Sequence, residues 1–175
     1  MKYYTNKRRR RIHFDYSSNA LYFVTMNTWE RKNVFATIKN DKLVLTELGM
    51  EVSRSWEEIP SHYPNVVLHA FAVMPDHFHG LLELRNNPSP NVGSFRFTDS
   101  NTEGASPHRH ILSNIIKGFK TGATQWAMKN KGITRLWQRS FHDQISRDEQ
   151  HYVNVKAYIQ NNPAVYLARH RKCRW

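Results

Sequence analysis

The chain has 175 residues, of which 39% are hydrophobic, so it is long enough to bury the core of one domain. Lysine and arginine number 26 against 14 acidic residues, and the formal net charge of +12 favours a polyanionic partner, with nucleic acid first and a membrane surface as the competing class. The single cysteine, Cys173, excludes an intrachain disulfide, and no apolar run is long enough to predict a membrane span.

Residues 1–19 predict a mobile basic arm. No apolar segment follows its basic cluster, so we do not expect a secretory signal peptide. Such a cluster is either a solvated charge run or a phosphate-binding arm, and the net charge favours the arm. The arginines of the cluster are Arg8, Arg9, Arg10 and Arg11.

The next segment predicts a strand and a helix. Residues 20–26 are rich in β-forming side chains and predict a first strand, with a second short strand over 33–38 pairing with it. Apolar residues at helical spacing predict a helix over 45–59, with Thr46 as its N-cap and Pro60 just beyond its end.

A hairpin follows. Residues 66–73 predict a buried strand, residues 74–76 a turn, and residues 77–84 an antiparallel partner strand. The polar segment 86–107, rich in Asn, Ser, Pro and Gly, predicts a flexible loop insertion.

Two helices and one strand complete the pattern. Apolar spacing predicts a helix over 111–128, and residues 136–145 predict a strand. Ser146, with Glu149 three residues later, predicts a capping box for a last helix that ends near Asn161, before Pro163.

Apart from the short strand over 33–38, the first six of these elements follow the order βαββαβ. This order predicts an α+β, ferredoxin-like antiparallel sheet with an added C-terminal helix. We expect one domain over residues 20–166, preceded by the basic arm and followed by a basic C-terminal tail over 167–175. The fold hosts many functions, so it decides none of them.

The sequence MPDHFH at residues 74–79 is the most informative motif. Because side chains alternate along a strand, His77 and His79 point to one face while Phe78 points into the core. Two imidazoles side by side on a rigid strand suit a bidentate metal clamp. The chain has 10 histidines, so the alternative is a chance pair at half-buried positions.

The sequence YIQNNP at residues 158–163 supplies a second pair. Tyr158 and Asn162 are four residues apart and share a helix face, so a phenol, a candidate nucleophile, and an amide oxygen, a candidate metal ligand, lie together. The alternatives are an aromatic packed on the sheet and a residue that stabilises the helix end. Tyr152 and Tyr166 are rival tyrosines.

These motifs together resemble a known family. The sequences MPDHFH and YIQNNP, with ALYFVT at 20–25, LWQRSFHD at 136–143 and RDE at 147–149, resemble the single-tyrosine HUH transposases, above all the REP-associated tyrosine transposases. The resemblance spans about residues 8–166. Many relatives have glutamine where this chain has Asn162, and the segment 86–107 departs from the compact members.

The resemblance implies that residues 20–166 form a catalytic domain that cuts and rejoins single-stranded DNA at hairpin-forming repeats. His77, His79 and Asn162 match the metal ligands and Tyr158 the nucleophile, which forms a 5′-phosphotyrosine intermediate. Mg²⁺ or Mn²⁺ is the implied cofactor, although two imidazoles alone favour softer metals. A DNA transposition enzyme of this kind is expected in the cytoplasm, associated with the nucleoid, without membrane contact and with a homodimer as one assembly.

Phosphate contacts are expected from the basic arm and from Lys117, Lys120 and Arg139, and base stacking from aromatics such as Trp29 or Phe78. For each, the alternative is ordinary surface charge or core packing.

Two other function classes stay open. One is a non-catalytic nucleic-acid-binding module on the same fold. The other is a His-metal phosphodiesterase that activates water, with Asp76 or Asp143 as the base.

Overall fold

The computed structural model of the protein describes residues 20–85, 108–146 and 148–172. A short 3-10 turn at Trp29–Arg31 follows the first strand. The helices and strands are β1 (Ala20–Asn27), β2 (Ala36–Lys39), β3 (Lys42–Leu45), α1 (Glu47–Glu57), α2 (Ile59–His62), β4 (Val66–Val73), β5 (His77–Leu84), α3 (His108–Lys131), β6 (His142–Ile145) and α4 (Glu149–Lys172).

The main sheet has the order β4-β5-β1-β6, and every neighbouring pair is antiparallel. With these four taken as the strands of a βαββαβ unit, this is the ferredoxin-like order, in which the first strand lies between the third and the fourth. The predicted α+β fold class is confirmed, with α4 as the added C-terminal helix.

The sheet buries a different cluster on each face. Along β1, Tyr22, Val24 and Met26 are buried against α1 and α3 in the larger core. Phe23 points to the other face and packs against the smaller core, to which α4 contributes Ile159. This alternation follows from the two-residue period of a strand. The helix α4 therefore packs on the chain's own sheet.

Close packing under β5 explains one glycine. The ring of Phe78 lies 4.8 Å from that of Trp56 on α1. A Cβ on Gly80 would lie 2.4 Å from the Trp56 side chain, so only glycine fits this strand position without displacing the indole.

The second predicted strand was placed wrongly. β2 pairs with β3 in a separate hairpin and not with β1. The turn between them holds Asn40 and Asp41 at φ of 49° and 54°. Two left-handed residues in a tight turn reverse the chain with the twist that a hairpin requires, and Asn and Asp tolerate that conformation.

The first predicted helix is interrupted. Thr46 is its N-cap as predicted, since its Oγ1 accepts a hydrogen bond of 3.0 Å from the amide of Gly49. The helix ends at Glu57, and Pro60 lies in the first turn of α2 instead of beyond a single longer helix. Proline is tolerated there because the first turn of a helix leaves its amides unpaired.

The C-terminal boundaries also differ from the prediction. Only His142–Ile145 of the predicted strand over 136–145 is a strand, while Trp137 makes an isolated bridge with Thr28. Asp148, and not Ser146, caps α4, since its Oδ1 accepts a bond of 2.7 Å from the amide of His151.

The helix α4 continues through Pro163 to Lys172. Proline removes the amide that would bond to the carbonyl of Ile159, so this turn is weakened. Tyr166, beyond the proline, packs against the same small core as Ile159, and this contact holds the second half of the helix to the sheet. Residues 167–172 of the predicted basic C-terminal tail are therefore a continuation of α4.

The predicted basic arm over 1–19 and the predicted loop over 86–107 lie outside the described residues. Within the described part of the chain, none of the helices combines the length and apolar character that a membrane crossing requires.

Candidate functional site

Strand β5 presents the histidine pair toward α4. His77 and His79 lie on the α4-facing side with their ring centroids 4.6 Å apart, and Phe78 between them is fully buried on the other side. His79 is only 5% exposed. The predicted division of the motif between two faces of the sheet is therefore confirmed.

Each imidazole is held through its Nδ1 atom. The Nδ1 of His79 lies 2.9 Å from Oγ1 of Thr25, its cross-strand partner on β1. The Nδ1 of His77 lies 2.6 Å from Oδ1 of Asp76, and a carboxylate accepts, so this nitrogen carries the proton. Such bonds orient a histidine so that Nε2 is available to a ligand.

Burial keeps both rings neutral. It lowers the pKa of His79 to about 4, with a further lowering from neighbouring His77. Burial also lowers the pKa of His77, although the hydrogen bond that His77 donates to Asp76 opposes the shift. Neutral imidazole is the form that binds a metal ion.

A salt bridge holds the carboxylate behind the pair. The Nε of Arg31 lies 2.8 Å from Oδ2 of Asp76, and the same guanidinium donates to Oδ1 of Asn27. Arg31 has a left-handed backbone, with φ of 56°. The chain therefore contributes three linked groups, Arg31, Asp76 and His77, to one wall of the site.

The helix α4 brings Tyr158 and Asn162 to the same cleft. Val155 and Ile159, on a neighbouring side of the helix, are buried in the smaller core, which sets the rotation of the helix. The ring of Tyr158 lies edge-on to His79 at 5.4 Å, and its side of the helix remains open, with the residue 53% exposed.

The cleft has a volume of about 540 Å³ and brings the four predicted residues together. Apart from His77, His79, Tyr158 and Asn162, the residues that line it are Thr25, Asn27, Arg31, Asp76, Val165, Tyr166, Arg169 and His170.

The donor set fits a divalent cation. Among the described residues, no group of three His, Cys, Asp or Glu side chains is arranged to hold a metal, so the predicted donor set of two imidazoles is completed by an amide. The Nε2 of His79 and the Nδ2 of Asn162 are buried and lack hydrogen-bond partners in the described structure. Because nothing fixes the Asn162 amide, a half-turn presents its oxygen at the place of the nitrogen.

The two rival tyrosines differ in position. Tyr152 lies away from this cleft, with its hydroxyl 3.3 Å from Nδ1 of His69. Tyr166 lines the cleft, but burial and the charge of Asp76 raise its pKa, which disfavours the phenolate. Tyr158 is the more exposed tyrosine of the cleft.

The predicted phosphate contacts lie elsewhere. Lys117, Lys120 and Arg139 line a second groove of about 790 Å³, between α3 and residues 134–141. Lys120 is half-buried there and donates to the carbonyl of Gln138 at 2.7 Å, and burial lowers its pKa. It therefore anchors this segment, whereas Lys117 and Arg139 are exposed.

Other predicted contacts have different outcomes. The arm with Arg8, Arg9, Arg10 and Arg11 lies outside the described residues. Base stacking by Phe78 was predicted wrongly, since its ring is buried in the larger core. Trp29 is half-buried and lines the second groove.

Sequence reasoning missed Thr25 and Arg31 as parts of the site. The contact of Thr25 with His79 depends on strand register, which spacing alone does not reveal. Arg31 reaches Asp76 from a left-handed turn that no proline or glycine marks in the sequence.

No protein-family model matches the chain. An uncharacterised protein of Haemophilus influenzae is 34% identical over 157 residues, which cover 88% of this chain and 86% of the relative. A second protein of the same organism, which carries the provisional name REP-associated tyrosine transposase, is 24% identical over 85% of this chain and 73% of its own length.

Among solved structures, a REP-associated tyrosine transposase bound to a REP hairpin matches with a TM-score of 0.56 at 18% identity, covering 95% of this chain and 74% of that one. The similarity in fold thus agrees with the similarity in sequence. The chain is therefore similar in sequence to a protein named as a REP-associated tyrosine transposase and shares the fold of a solved one.

Proposed function

We propose that this protein is a transposase-like enzyme that cuts and rejoins single-stranded DNA at hairpin-forming repeats through a covalent tyrosine intermediate. The observation that carries the proposal is the contact between two distant motifs: the ring of Tyr158 lies 5.4 Å from that of His79, in one cleft with His77 and Asn162. A nucleophile beside a pair of neutral imidazoles suits phosphodiester chemistry.

His77, His79 and Asn162 would hold Mg²⁺ or Mn²⁺ in this cleft. The bound ion would supply Lewis-acid stabilisation of charge on the scissile phosphate. The protein's own contribution is orientation, since Thr25 and Asp76 fix the two rings through Nδ1. Asn162 lies one helical turn from Tyr158 and lines the same cleft.

Tyr158 would carry the covalent step. Its phenolic oxygen forms a bond to phosphorus and loses its proton, while the bond from phosphorus to the 3′ oxygen breaks and that oxygen takes up a proton. A 5′-phosphotyrosine link and a free 3′-hydroxyl result. The phosphodiester bond energy is kept in the link, so rejoining by the reverse step needs no ATP.

The proposed partner is hairpin or single-stranded DNA. The charge of +12 favours a polyanion, and the similar solved transposase is bound to a REP hairpin. One nucleophilic tyrosine allows one cut at a time, so paired cuts need a homodimer or sequential reactions. A DNA substrate of this kind places the enzyme in the cytoplasm, at the nucleoid.

A denaturing gel tests the proposal. The protein is incubated with end-labelled hairpin DNA and Mg²⁺, and a covalent adduct appears as a shifted band that protease removes. Tyr158→Phe is expected to abolish the adduct and to keep hairpin binding, and Tyr152→Phe is the matched control outside the cleft. An adduct that survives in Tyr158→Phe and disappears in Tyr166→Phe would assign the nucleophile to Tyr166.

The same gel separates the two other functions. A water-activating phosphodiesterase would give cleavage without an adduct, and a pure binding module would give neither and would tolerate His77→Ala. The structure disfavours Asp76 as the base of a phosphodiesterase, because both of its oxygens are paired, with His77 and Arg31.

A further inference from the structure

The second groove has the composition of a nucleic-acid site. Its lining includes four cationic residues and, among the described residues, no acidic one. The guanidinium of Arg135 lies 5.2 Å from the ring centre of Trp29, so an aromatic and a planar cation are stacked in the groove. In single-stranded nucleic-acid sites, aromatic rings of this kind stack on unpaired bases and nearby cations bind the phosphates. The cations are Lys117, Lys120, Arg135 and Arg139.

Backbone contacts build the wall of this groove. The amide of Trp29 donates to the carbonyl of Leu136 at 2.8 Å, and Thr28 makes a β-bridge to Trp137. Lys120 fastens the same segment to α3 through the carbonyls of Gln138 and Ser140. The groove is therefore held in shape by the fold.

A depression of about 530 Å³ shares lining residues with both this groove and the candidate active site. It shares Thr25 and Asn27 with the cleft of Tyr158, and it shares Gln138 and Arg139 with the basic groove. The backbone amide of Gln138 donates a hydrogen bond of 2.9 Å to the backbone carbonyl of Asn27, and this bond holds the two ends of the depression together. The three concave regions thus share lining residues in succession, and together they are called the track.

We infer that this track binds the single-stranded DNA that flanks the scissile phosphate. An unpaired base would stack at the Trp29–Arg135 pair, and exposed Lys117 and Arg139 would contact phosphates along the groove. The end of the track at Tyr158 rests on the proposed function. The part of the inference that concerns the second groove depends only on the charge and shape of that groove. It extends the proposed function, because it assigns a second binding site and its ligand.

Binding to fluorescein-labelled oligo(dT) tests the inference. The measurement uses anisotropy and the Tyr158→Phe protein, so that no covalent reaction contributes. Trp29→Ala is expected to weaken binding of an oligonucleotide of about 12 nucleotides by roughly tenfold, and Trp29→Phe to restore most of it, because stacking tolerates any aromatic ring. Lys117→Ala should lower the slope of log affinity against log salt by about one.

Lys129→Ala is the matched control, since Lys129 is also exposed on α3 but does not line the groove. It should leave the affinity within about twofold of the parent protein. Circular dichroism checks folding, and if Trp29→Ala fails to fold, the exposed Lys117→Glu replaces it with the same expected loss.

Strand length tests the continuity of the track. For the parent protein, affinity should rise as the oligonucleotide grows from about 4 to about 12 nucleotides, and Trp29→Ala should remove most of that rise. Equal length dependence in both proteins, or equally strong and equally Trp29-dependent binding of blunt duplex, would overturn the inference.

The experiments distinguish a failure of the proposed function from a failure of the inference about the track. A missing adduct with Trp29-dependent binding overturns the tyrosine chemistry and leaves the groove site standing. A Tyr158 adduct with Trp29-independent binding overturns only the track.

Discussion

Asp76 accepts a hydrogen bond of 2.6 Å from His77 with one oxygen, while its other oxygen lies 2.8 Å from Arg31. Asp76 is the last residue of the turn before β5, which begins at His77. The motif MPDHFH therefore contains both a candidate ligand and the group that orients it. Carboxylate–histidine pairs of this kind fix the ring orientation and raise its basicity as a ligand.

Asp76→Asn is therefore expected to weaken Mn²⁺ binding by about 10- to 100-fold, because the amide keeps the shape but loses the charge. Isothermal titration calorimetry measures this without any reaction. Glu30→Gln is the control, since Glu30 lies in the adjacent turn, is exposed and pairs with Lys32. Unchanged Mn²⁺ affinity in Asp76→Asn would remove the orienting role.

The other imidazole depends on Thr25. Thr25→Val keeps the volume but leaves the buried Nδ1 of His79 without its partner at 2.9 Å. Urea denaturation should show a loss of about 1–3 kcal/mol in the free energy of unfolding. Thr25→Ser retains the hydroxyl and should recover most of the loss. If Val and Ser cost the same, the methyl contact and not the hydrogen bond holds His79.

Two helical glycines are expected to respond in opposite directions to alanine. A Cβ on Gly49 would lie 1.9 Å from the backbone oxygen of Phe35, whereas one on Gly122 meets nothing within 4 Å. Gly49→Ala should lower the free energy of unfolding by about 1–3 kcal/mol. Gly122→Ala should raise it by about 0.5–1 kcal/mol, because glycine is a poor helix former. Thermal and urea denaturation measure both, and a neutral Gly49→Ala would contradict the packing of α1 against that carbonyl.

Lys120 and Lys117 were both predicted to contact phosphate and both line the second groove, but their side chains have different surroundings. Lys120 donates to two backbone carbonyls and Lys117 is exposed. Lys120→Met should speed amide hydrogen exchange in the segment 138–141, since the anchor is lost and opening costs less. Lys117→Met should leave this exchange unchanged while it weakens oligonucleotide binding. Equal exchange in both variants would show that Lys120 is dispensable to the segment.

The helix α4 places Tyr158 against the sheet of its own chain, where Val155 and Ile159 are buried. The four predicted site residues thus line one cleft within a single chain. A mixture of Tyr158→Phe and His79→Ala proteins should form no adduct with hairpin DNA, because neither chain holds both groups. Recovery of the adduct on mixing would show that α4 exchanges between subunits.

Local pattern predicted much of the fold. The division of His77 and His79 from Phe78 follows from the alternation along a strand, and Thr46 capped its helix as expected. The predicted ends of helices and strands were wrong where a contact with a distant residue outweighed the local sequence signal. Pro163 predicted a helix end, yet Tyr166 beyond it is packed on the small core and α4 continues.

The amino-acid sequence alone determined the order of the elements in the βαββαβ unit, the shared face of the two histidines and the one-turn spacing of Tyr158 and Asn162, because each depends on a period of two or of 3.6 residues. Only the tertiary structure decided that these two pairs meet in one cleft, that Thr25 and Arg31 complete it, and that a second groove adjoins it. Strand register, helix docking and a left-handed turn produce those contacts, and residues far apart in the chain decide all three through the packing that they share.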